Sequence, residues 1–444
     1  MRYFYLLPLL AASSLYAAQE TTKIFPFAYD QHDFPNGLRL VTIPTDTPNI
    51  VALNIVMQTG SRNEVEPGKT GFAHLFEHLM FRGTKQFPTE KYEAIMKQAG
   101  AATNAYTNDD STVYHATFSK PDLDQILKME ADRFMNLNFA EDVIRTESLA
   151  VLGEYNKNSA SPESKLFETL SETAFDKHTY KHTTMGFLKD VQDMPNQYQY
   201  SKLFFERYYR PEYATIVIAG DVTPAAAKEM VGRYFGQWKA GSFKPSIPAE
   251  PAQTAPRKAH VKWPSPTLPY LLIAYKSPAY SDTDKDSAAL DLISSLVFAE
   301  SSDLYQRLVV KEQKVDQFGA EYSNHADPNL FAAFARVKKE ADMDSVREAI
   351  LSAINGMKDS LVSSEKLDTV KKHLRYSFAL RLDDPERIAG TAARYVAMKR
   401  TPETINKRFQ LYAEVTPEDI RAAARKYFVE SGQTTVTLSS GDSK

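Results

Sequence analysis

The amino-acid sequence predicts an α+β protein of two homologous domains, each a mainly antiparallel sheet packed against helices. A chain of 444 residues is too long for one ordinary hydrophobic core. Apolar residues recur with a period of two in some segments and of 3.6 in others, so strands and helices alternate along the chain. The order of these segments in the first half returns in outline in the second half.

The first half is predicted to begin with three strands and a helix. Asn36-Gly37, between alternating apolar segments, is a strong hairpin signal, and the β-branched run 50–58 predicts a buried strand. A helix over 70–81 follows, with Gly83 as its C-cap. Periodicity further predicts helices at 89–98, 123–136, 141–158, 165–175, 194–208 and 223–235, and strands within 102–119 and at 214–219.

Proline density indicates where the first domain ends. Seven prolines from Pro245 to Pro269 exclude a regular helix or a central strand there. Residues 241–266 are therefore expected to link an N-terminal domain of residues 22–240 to a C-terminal domain of residues 267–444.

The second half repeats the order of the first. Strands are predicted at 270–275 and within 318–337, and helices at 287–298, 342–361 and 364–382. The ends of the two halves match best, because 193–218 and 415–438 each contain a proline-initiated helix, a basic aromatic end and a strand. The alternative is that any two α+β halves look alike at this level of detail.

Composition excludes several classes of protein. The hydrophobic fraction of 43% and the charged fraction of 25% are those of a globular protein. A net charge of −3 without a dense Lys/Arg run argues against nucleic-acid binding. Cysteine is absent, which excludes disulfides, thiolate ligands and a cysteine nucleophile, and leaves histidine and carboxylates as the strong metal ligands.

The N-terminus has the pattern of a secretory signal peptide, assigned to residues 1–18. A basic Arg2 is followed by an apolar run too short to span a bilayer and by small residues at Ala17 and Ala18. The alternative is a buried first helix or strand. No other apolar stretch has membrane-spanning length, so we expect a periplasmic or secreted protein with no stable membrane insertion after cleavage.

The strongest chemical signal is His74-Leu75-Phe76-Glu77-His78. Its two histidines and its glutamate lie at i, i+3 and i+4 and share one helix face. Two imidazoles one turn apart can bind one zinc ion, and a carboxylate beside them can accept a proton from water. This order is the inverted zincin signature, which predicts a metallohydrolase with Glu77 as general base. The alternative places one histidine in the core and the other on a solvated face.

A two-histidine site needs a third protein ligand. The helix predicted at 141–158 offers Glu147 and Glu154, seven residues apart and therefore on nearly the same face. An acidic pair beside an apolar face is more often at the solvent rim than functional. The residues alone leave both possibilities open.

The motif His74–Thr84, followed by a glutamate after seventy-five intervening residues, resembles the pitrilysin/insulinase family of zinc metallopeptidases, close to its bacterial processing-peptidase-like members. The resemblance implies a zinc endopeptidase that hydrolyses peptides or small unfolded proteins. It also implies one Zn²⁺ per chain, on His74, His78 and Glu154, with Glu147 as a supporting carboxylate of the catalytic site.

Two further segments resemble the family. The run Asn104-Ala105-Tyr106-Thr107 is similar to the strand at the edge of the family's active-site cleft, which implies that these residues hold extended peptide through main-chain hydrogen bonds. For Asn104, capping of the hairpin is an equal alternative. Residues 175–186 resemble the family's His-Pro-Tyr loop, with threonine at the usual proline position. We expect the histidines of this loop, His178 and His182, to be structural or cleft-lining rather than ligands.

The second half departs from the family pattern. It has no H-x-x-E-H, and Asp303 stands where many bacterial relatives have a substrate-binding arginine. Asp316 or Phe318 stands where they have a tyrosine. The resemblance therefore implies a heterodimer with a homologous partner that lacks zinc ligands, with a homodimer as the alternative.

Two other function classes remain. One is a non-catalytic scaffold or assembly subunit of the same fold, which the complete set of metal ligands disfavours. The other is a zinc-dependent binding protein without hydrolysis, which the position of Glu77 as a base disfavours.

Overall fold

The structure, a computed structural model, describes residues 23–137 and 139–440. The predicted signal peptide, residues 1–18, lies outside the described residues. Among the described residues, none of the helices combines the length and the apolar composition that crossing a membrane requires.

The first sheet contains the strands predicted for the first half. They are β1 (Asp30–Asp33), β2 (Arg39–Pro44), β3 (Ile50–Met57), β4 (Ala102–Thr107), β5 (Thr112–Ser119) and β6 (Ala214–Gly220). The spatial order is β1-β2-β6-β3-β5-β4, and every neighbouring pair is antiparallel except β2 with β6. The hairpin predicted at Asn36-Gly37 joins β1 to β2. The Asn-Gly pair was therefore sufficient to predict this hairpin.

The second sheet repeats this arrangement. It consists of β7 (Arg257–Lys262), β8 (Tyr270–Lys276), β9 (Val315–Glu321), β10 (Leu330–Val337) and β11 (Gln433–Ser439). Its order, β7-β11-β8-β10-β9, is that of β2-β6-β3-β5-β4, and its one parallel pair, β7 with β11, corresponds to β2 with β6. The predicted fold class of two homologous, mainly antiparallel α+β domains is confirmed.

The helices of the first half pack on one face of the first sheet, except α5, which packs on the second sheet. They are α1 (Phe72–Leu79), α2 (Thr89–Gln98), α3 (Leu123–Asn136), α4 (Glu141–Ser159), α5 (Pro162–Ala174), α6 (Leu188–Asp193), α7 (Tyr198–Tyr208) and α8 (Pro224–Phe235). The second half has α9 (Lys285–Phe298), α10 (Asp303–Tyr305, continued by a π-helical turn over Gln306–Lys311), α11 (Met343–Asp359), α12 (Ser364–Ala379), α13 (Pro385–Lys399), α14 (Glu403–Glu414) and α15 (Pro417–Tyr427).

In each half, one helix packs against the sheet of the other half. The strands of the first sheet alternate strictly, so that Leu53 and Ile55 of β3 face the core under α1, whereas Ala52 and Val56 face the opposite side. That opposite side is covered by α13 of the second half. In return α5 of the first half covers the second sheet, where its leucines pack on β8 and β11. Burial of both faces explains why the central strands are continuous apolar runs.

Two features of the second half differ from the sequence analysis. The helices α13 and α14 had no predicted counterpart. The strand β7 lies inside the predicted linker 241–266, because Pro256 and Pro264 flank a proline-free segment that pairs at the edge of the second sheet. An edge strand tolerates neighbouring prolines since only one side of its main chain needs donors.

Candidate metal centre and active site

The helix α1 starts from an anchored N-terminus. Gly71 has a φ of 90°, which favours glycine, and a Cβ there would lie 2.9 Å from the carbonyl oxygen of Met185. The backbone N–H groups of Gly71 and Ala73 donate to the buried carboxylate of Glu64 at 2.8 and 2.7 Å. Burial raises the pKa of Glu64 to about 8, although these donors lower it. Sequence analysis missed Glu64, because no local motif links it to the helix.

Folding brings His74, His78 and Glu154 to one point. The Nε2 atoms of the two imidazoles lie 3.3 Å apart. Glu154 Oε2, on α4, is 3.6 Å from Nε2 of His74 and 3.5 Å from Nε2 of His78. Among residues 23–137 and 139–440, these three form the one group of histidine and acidic side chains whose ligand atoms cluster closely enough for a metal ion.

The three atoms fit a divalent cation. A tetrahedral zinc ion with bonds of about 2.0–2.1 Å has ligand–ligand edges of about 3.3–3.4 Å, close to the triangle of 3.3, 3.5 and 3.6 Å formed here. The distances to Glu154 are too long for hydrogen bonds. Burial and the neighbouring His78 lower the pKa of His74 to about 4, so His74 is neutral at pH 7 and has a lone pair to offer a metal.

Glu147 lies on the other side of His78. Its Oε2 is 3.8 Å from Nδ1 of His78 and, although buried, has no hydrogen-bond partner among the residues that the structure describes. Its Oε1 is 2.7 Å from Nε of Arg82. Glu147 Oε2 thus faces the ring nitrogen of His78 that points away from Glu154, at a distance longer than a hydrogen bond. Arg82, which follows α1, is a partner that the sequence analysis did not identify.

Glu77 projects from the same turn of α1 towards β4. The hydroxyl of Thr107 donates to Glu77 Oε2 at 2.6 Å. Burial raises the pKa of Glu77, and the hydrogen bond from Thr107 lowers it. The carboxylate is therefore held beside the histidine pair without being one of the three clustered atoms.

The strand β4, with the four residues predicted to bind substrate, is the outermost strand of the sheet next to α1. Asn104 and Tyr106 are exposed, and Ala105 packs in the core. The Asn104 side chain accepts the backbone N–H of Ala105 at 2.9 Å. Thr107 differs from the other three, because its side chain contacts Glu77. The outer edge of β4 has no strand beside it among the described residues.

The histidines of residues 175–186 contact protein groups. Nε2 of His178 is 3.1 Å from Oδ2 of Asp327 in the second half, and its Nδ1 accepts the backbone N–H of Tyr180. Nδ1 of His182 lies 3.0 Å from the carbonyl oxygen of Thr183. Neither histidine belongs to the group of His74, His78 and Glu154 among the described residues.

The second half has α9 where the first half has α1, and β9 is the edge strand that corresponds to β4. Asp303 is exposed and pairs with Lys366 at 2.7 Å, and Asp316 forms two hydrogen bonds with Arg336 of β10. Phe318 packs against aromatic neighbours, 5.6 Å from Phe298 between ring centroids. The three side chains therefore contact partners within the second half of the chain.

Comparison with known proteins agrees with this arrangement. Residues 39–187 match the model of the insulinase family, peptidase family M16, and residues 197–374 match that of the peptidase M16 inactive domain. The zinc protease PqqE of Helicobacter pylori is 28% identical over 450 residues, which cover 99% of this chain and 100% of that protein. A probable mitochondrial-processing peptidase subunit beta of Arabidopsis thaliana is 24% identical, over 89% of this chain and 75% of that protein.

A solved structure shows the same fold. The crystal structure of a protease from Helicobacter pylori superposes with a TM-score of 0.87 at 28% identity, covering 93% of this chain and 99% of that one. The similarity extends over both sheets, so it includes the half without the histidine pair.

Proposed function

Because the chain belongs to the insulinase family of peptidases, peptidase family M16, we propose that it is a zinc-dependent endopeptidase that hydrolyses peptides or small unfolded proteins. The observation that carries the proposal is the cluster of two imidazole nitrogens and one carboxylate oxygen beside the half-buried Glu77. Relatives named as zinc proteases support the choice of metal.

Each side chain has a proposed role. His74, His78 and Glu154 would hold one zinc ion, which supplies Lewis acidity towards water and a peptide carbonyl when bound. Glu77 accepts a proton from the attacking water on its carboxylate and returns that proton to the leaving amine. Glu147 orients His78.

We further propose that substrate binds along β4. An extended peptide can pair with the free edge of this strand through main-chain hydrogen bonds, which depend little on sequence. Asn104, Ala105, Tyr106 and Thr107 would supply that edge. This mode suits unfolded substrates, because a folded protein seldom exposes an extended strand.

The chain is proposed to be the catalytic subunit of a heterodimer. The support is the absence of the Arg/Tyr pair at Asp303, Asp316 and Phe318, together with relatives named as subunits of a processing peptidase. A homodimer is the alternative. If the purified chain alone, shown by light scattering to be a monomer or a homodimer, cleaves peptides as fast as the complex from its native host, the heterodimer proposal fails.

Two features of the chain's organisation are also proposals. The N-terminal pattern of residues 1–18 supports export to the periplasm or the medium. Residues 22–240 are proposed as the zinc-binding peptidase domain and residues 267–444 as the homologous domain without metal ligands.

The function is tested by zinc content and by hydrolysis of an unstructured fluorogenic peptide. We expect wild type to bind one zinc ion per chain and to lose activity on chelation. Glu77→Gln should keep zinc and lose activity, whereas Glu154→Gln should lose zinc. Glu141→Gln is the matched control, since Glu141 is an exposed glutamate at the start of the same helix as Glu154. Equal hydrolysis by wild type and Glu77→Gln would refute the mechanism.

A further inference from the structure

The hydroxyl of Thr107 has a single hydrogen, and its neighbours determine where that hydrogen goes. Thr107 Oγ1 is 2.6 Å from Oε2 of Glu77 and 3.4 Å from Oγ1 of Thr112. Thr112 donates its own hydrogen to the carbonyl oxygen of Thr59 at 2.9 Å. Since an ionised carboxylate only accepts, Thr107 donates to Glu77. Such a charge-assisted hydrogen bond is among the stronger ones in proteins.

The backbone that carries Thr107 is held by the turn that follows it. Asn108 Oδ1 accepts the N–H groups of Asp110 and Ser111 at 2.9 and 2.8 Å. Gly60 packs against this turn so closely that a Cβ there would lie 2.2 Å from the carbonyl oxygen of Asn108. The hydroxyl therefore reaches Glu77 from a well-fixed position.

We propose that Thr107 is a positioning residue for the general base: its hydroxyl holds Oε2 of Glu77, so that Oε1 is the oxygen that takes the proton from water. The proposal rests on the peptidase function proposed above. It assigns the Thr107 side chain to the base rather than to the substrate. The edge of β4 that does not pair with β5 is left for peptide, and the main-chain N–H of Thr107 also lies close to the Glu77 carboxylate. A residue in this role acts on kcat, because misalignment of the base affects the transition state more than the binding of peptide.

Three variants test the proposal. Thr107→Val removes the hydroxyl at nearly constant shape, Thr107→Ser keeps it, and Thr103→Val makes the same change at an exposed position of the same strand. We expect Thr107→Val to lower kcat roughly 10-fold to 100-fold with KM changed by less than about twofold. Thr107→Ser should recover most of the lost rate, and Thr103→Val should match wild type. Zinc content should be one per chain in all three.

Two results would overturn the positioning role. One is a wild-type kcat in Thr107→Val. The other is an equal loss in Thr107→Ser and Thr107→Val, which would indicate a structural disturbance.

A double-mutant cycle separates this proposal from the peptidase function. If Thr107 acts through Glu77, Thr107→Val added to Glu77→Gln should cost little further activity, and the shifts of the two single variants in unfolding midpoint should be non-additive. If wild type proves inactive with zinc bound, the peptidase function fails, and the unfolding cycle still tests the contact. Additive midpoint shifts would show that the two side chains are not coupled.

Discussion

The ion pair between Arg62 and Asp327 joins the two halves of the chain and leads to a quantitative prediction. Arg62 Nε lies 2.5 Å from Oδ2 of Asp327, and Nε2 of His178 lies 3.1 Å from the same oxygen. The hydrogen bond with His178 and the guanidinium of Arg62 lower the pKa of Asp327 to about 2, against burial, which raises it. The side chain of Asp327 is 28% exposed, so solvent screens this charge only in part.

The stabilisation follows from linkage. Each tenfold change in an acid constant corresponds to about 1.4 kcal/mol. Lowering the pKa of Asp327 from the ordinary 3.8 to about 2 therefore means that the ionised carboxylate adds about 2 kcal/mol to the free energy of unfolding. Because the folded-state pKa lies below the unfolded one, this contribution is complete above about pH 5 and is lost as the pH falls through about 2.

The perturbation is Asp327→Asn, measured by urea unfolding followed by tryptophan fluorescence. Trp238 reports on the first core and Trp263 on the packing around the second sheet. We expect the free energy of unfolding to fall by about 2 kcal/mol at pH 6 and the difference from wild type to shrink towards zero near pH 2.

The control is Asp303→Asn, which also removes a carboxylate from an ion pair. Asp303 is 95% exposed beside Lys366, and such surface pairs contribute about 0–1 kcal/mol. Equal losses for Asp327→Asn and Asp303→Asn at pH 6 would refute the reasoning. A loss in Asp327→Asn that stays constant from pH 6 to pH 2 would refute it as well.

Three further outcomes are expected. Glu147→Gln should lower the affinity for zinc roughly 10-fold to 100-fold, because the Glu147 carboxylate faces Nδ1 of the ligand His78. The affinity is measured by chelator competition, and an unchanged value would contradict the orienting role of Glu147. Ala392→Leu, buried where α13 crosses the first sheet, should cost about 1–3 kcal/mol in urea unfolding, whereas Ala379→Leu on an exposed helix position should cost little; equal costs would contradict the exchanged packing. Removal of zinc should lower the melting temperature and re-addition restore it, with far-UV circular dichroism unchanged, because binding stabilises only the native state; a melting temperature independent of zinc would contradict the site.

Local patterns were sufficient for most elements of the fold. The central strands β3 and β6 are apolar runs, and α2 and α3 have the boundaries that their periodicity predicts. Side-chain period is a property of a few consecutive residues, so a sequence window contains it. The repeat of the two halves was visible for the same reason, because each copy contains the same series of local patterns.

The exchange of helices between the halves was not predictable in this way. The apolar pattern of an amphipathic helix predicts that one face is buried, but it does not predict which sheet covers that face. The apolar faces of α5 and α13 would suit either sheet, and only the packed chain decides that each covers the sheet of the opposite half. The edge strand β7 was missed because nearby prolines outweighed a short pairing segment.

Some residues of the candidate site could likewise be predicted from the sequence, and others could not. His74, Glu77 and His78 are one helical turn apart, so the sequence alone determined that they share a face, and the resemblance of the longer motif pointed to Glu154. The supporting contacts, Glu64 at the start of α1 and Thr107 on Glu77, are hydrogen bonds between residues of different segments of the chain. No periodicity records such contacts, because they depend on where separate elements meet, and the tertiary structure alone decided them.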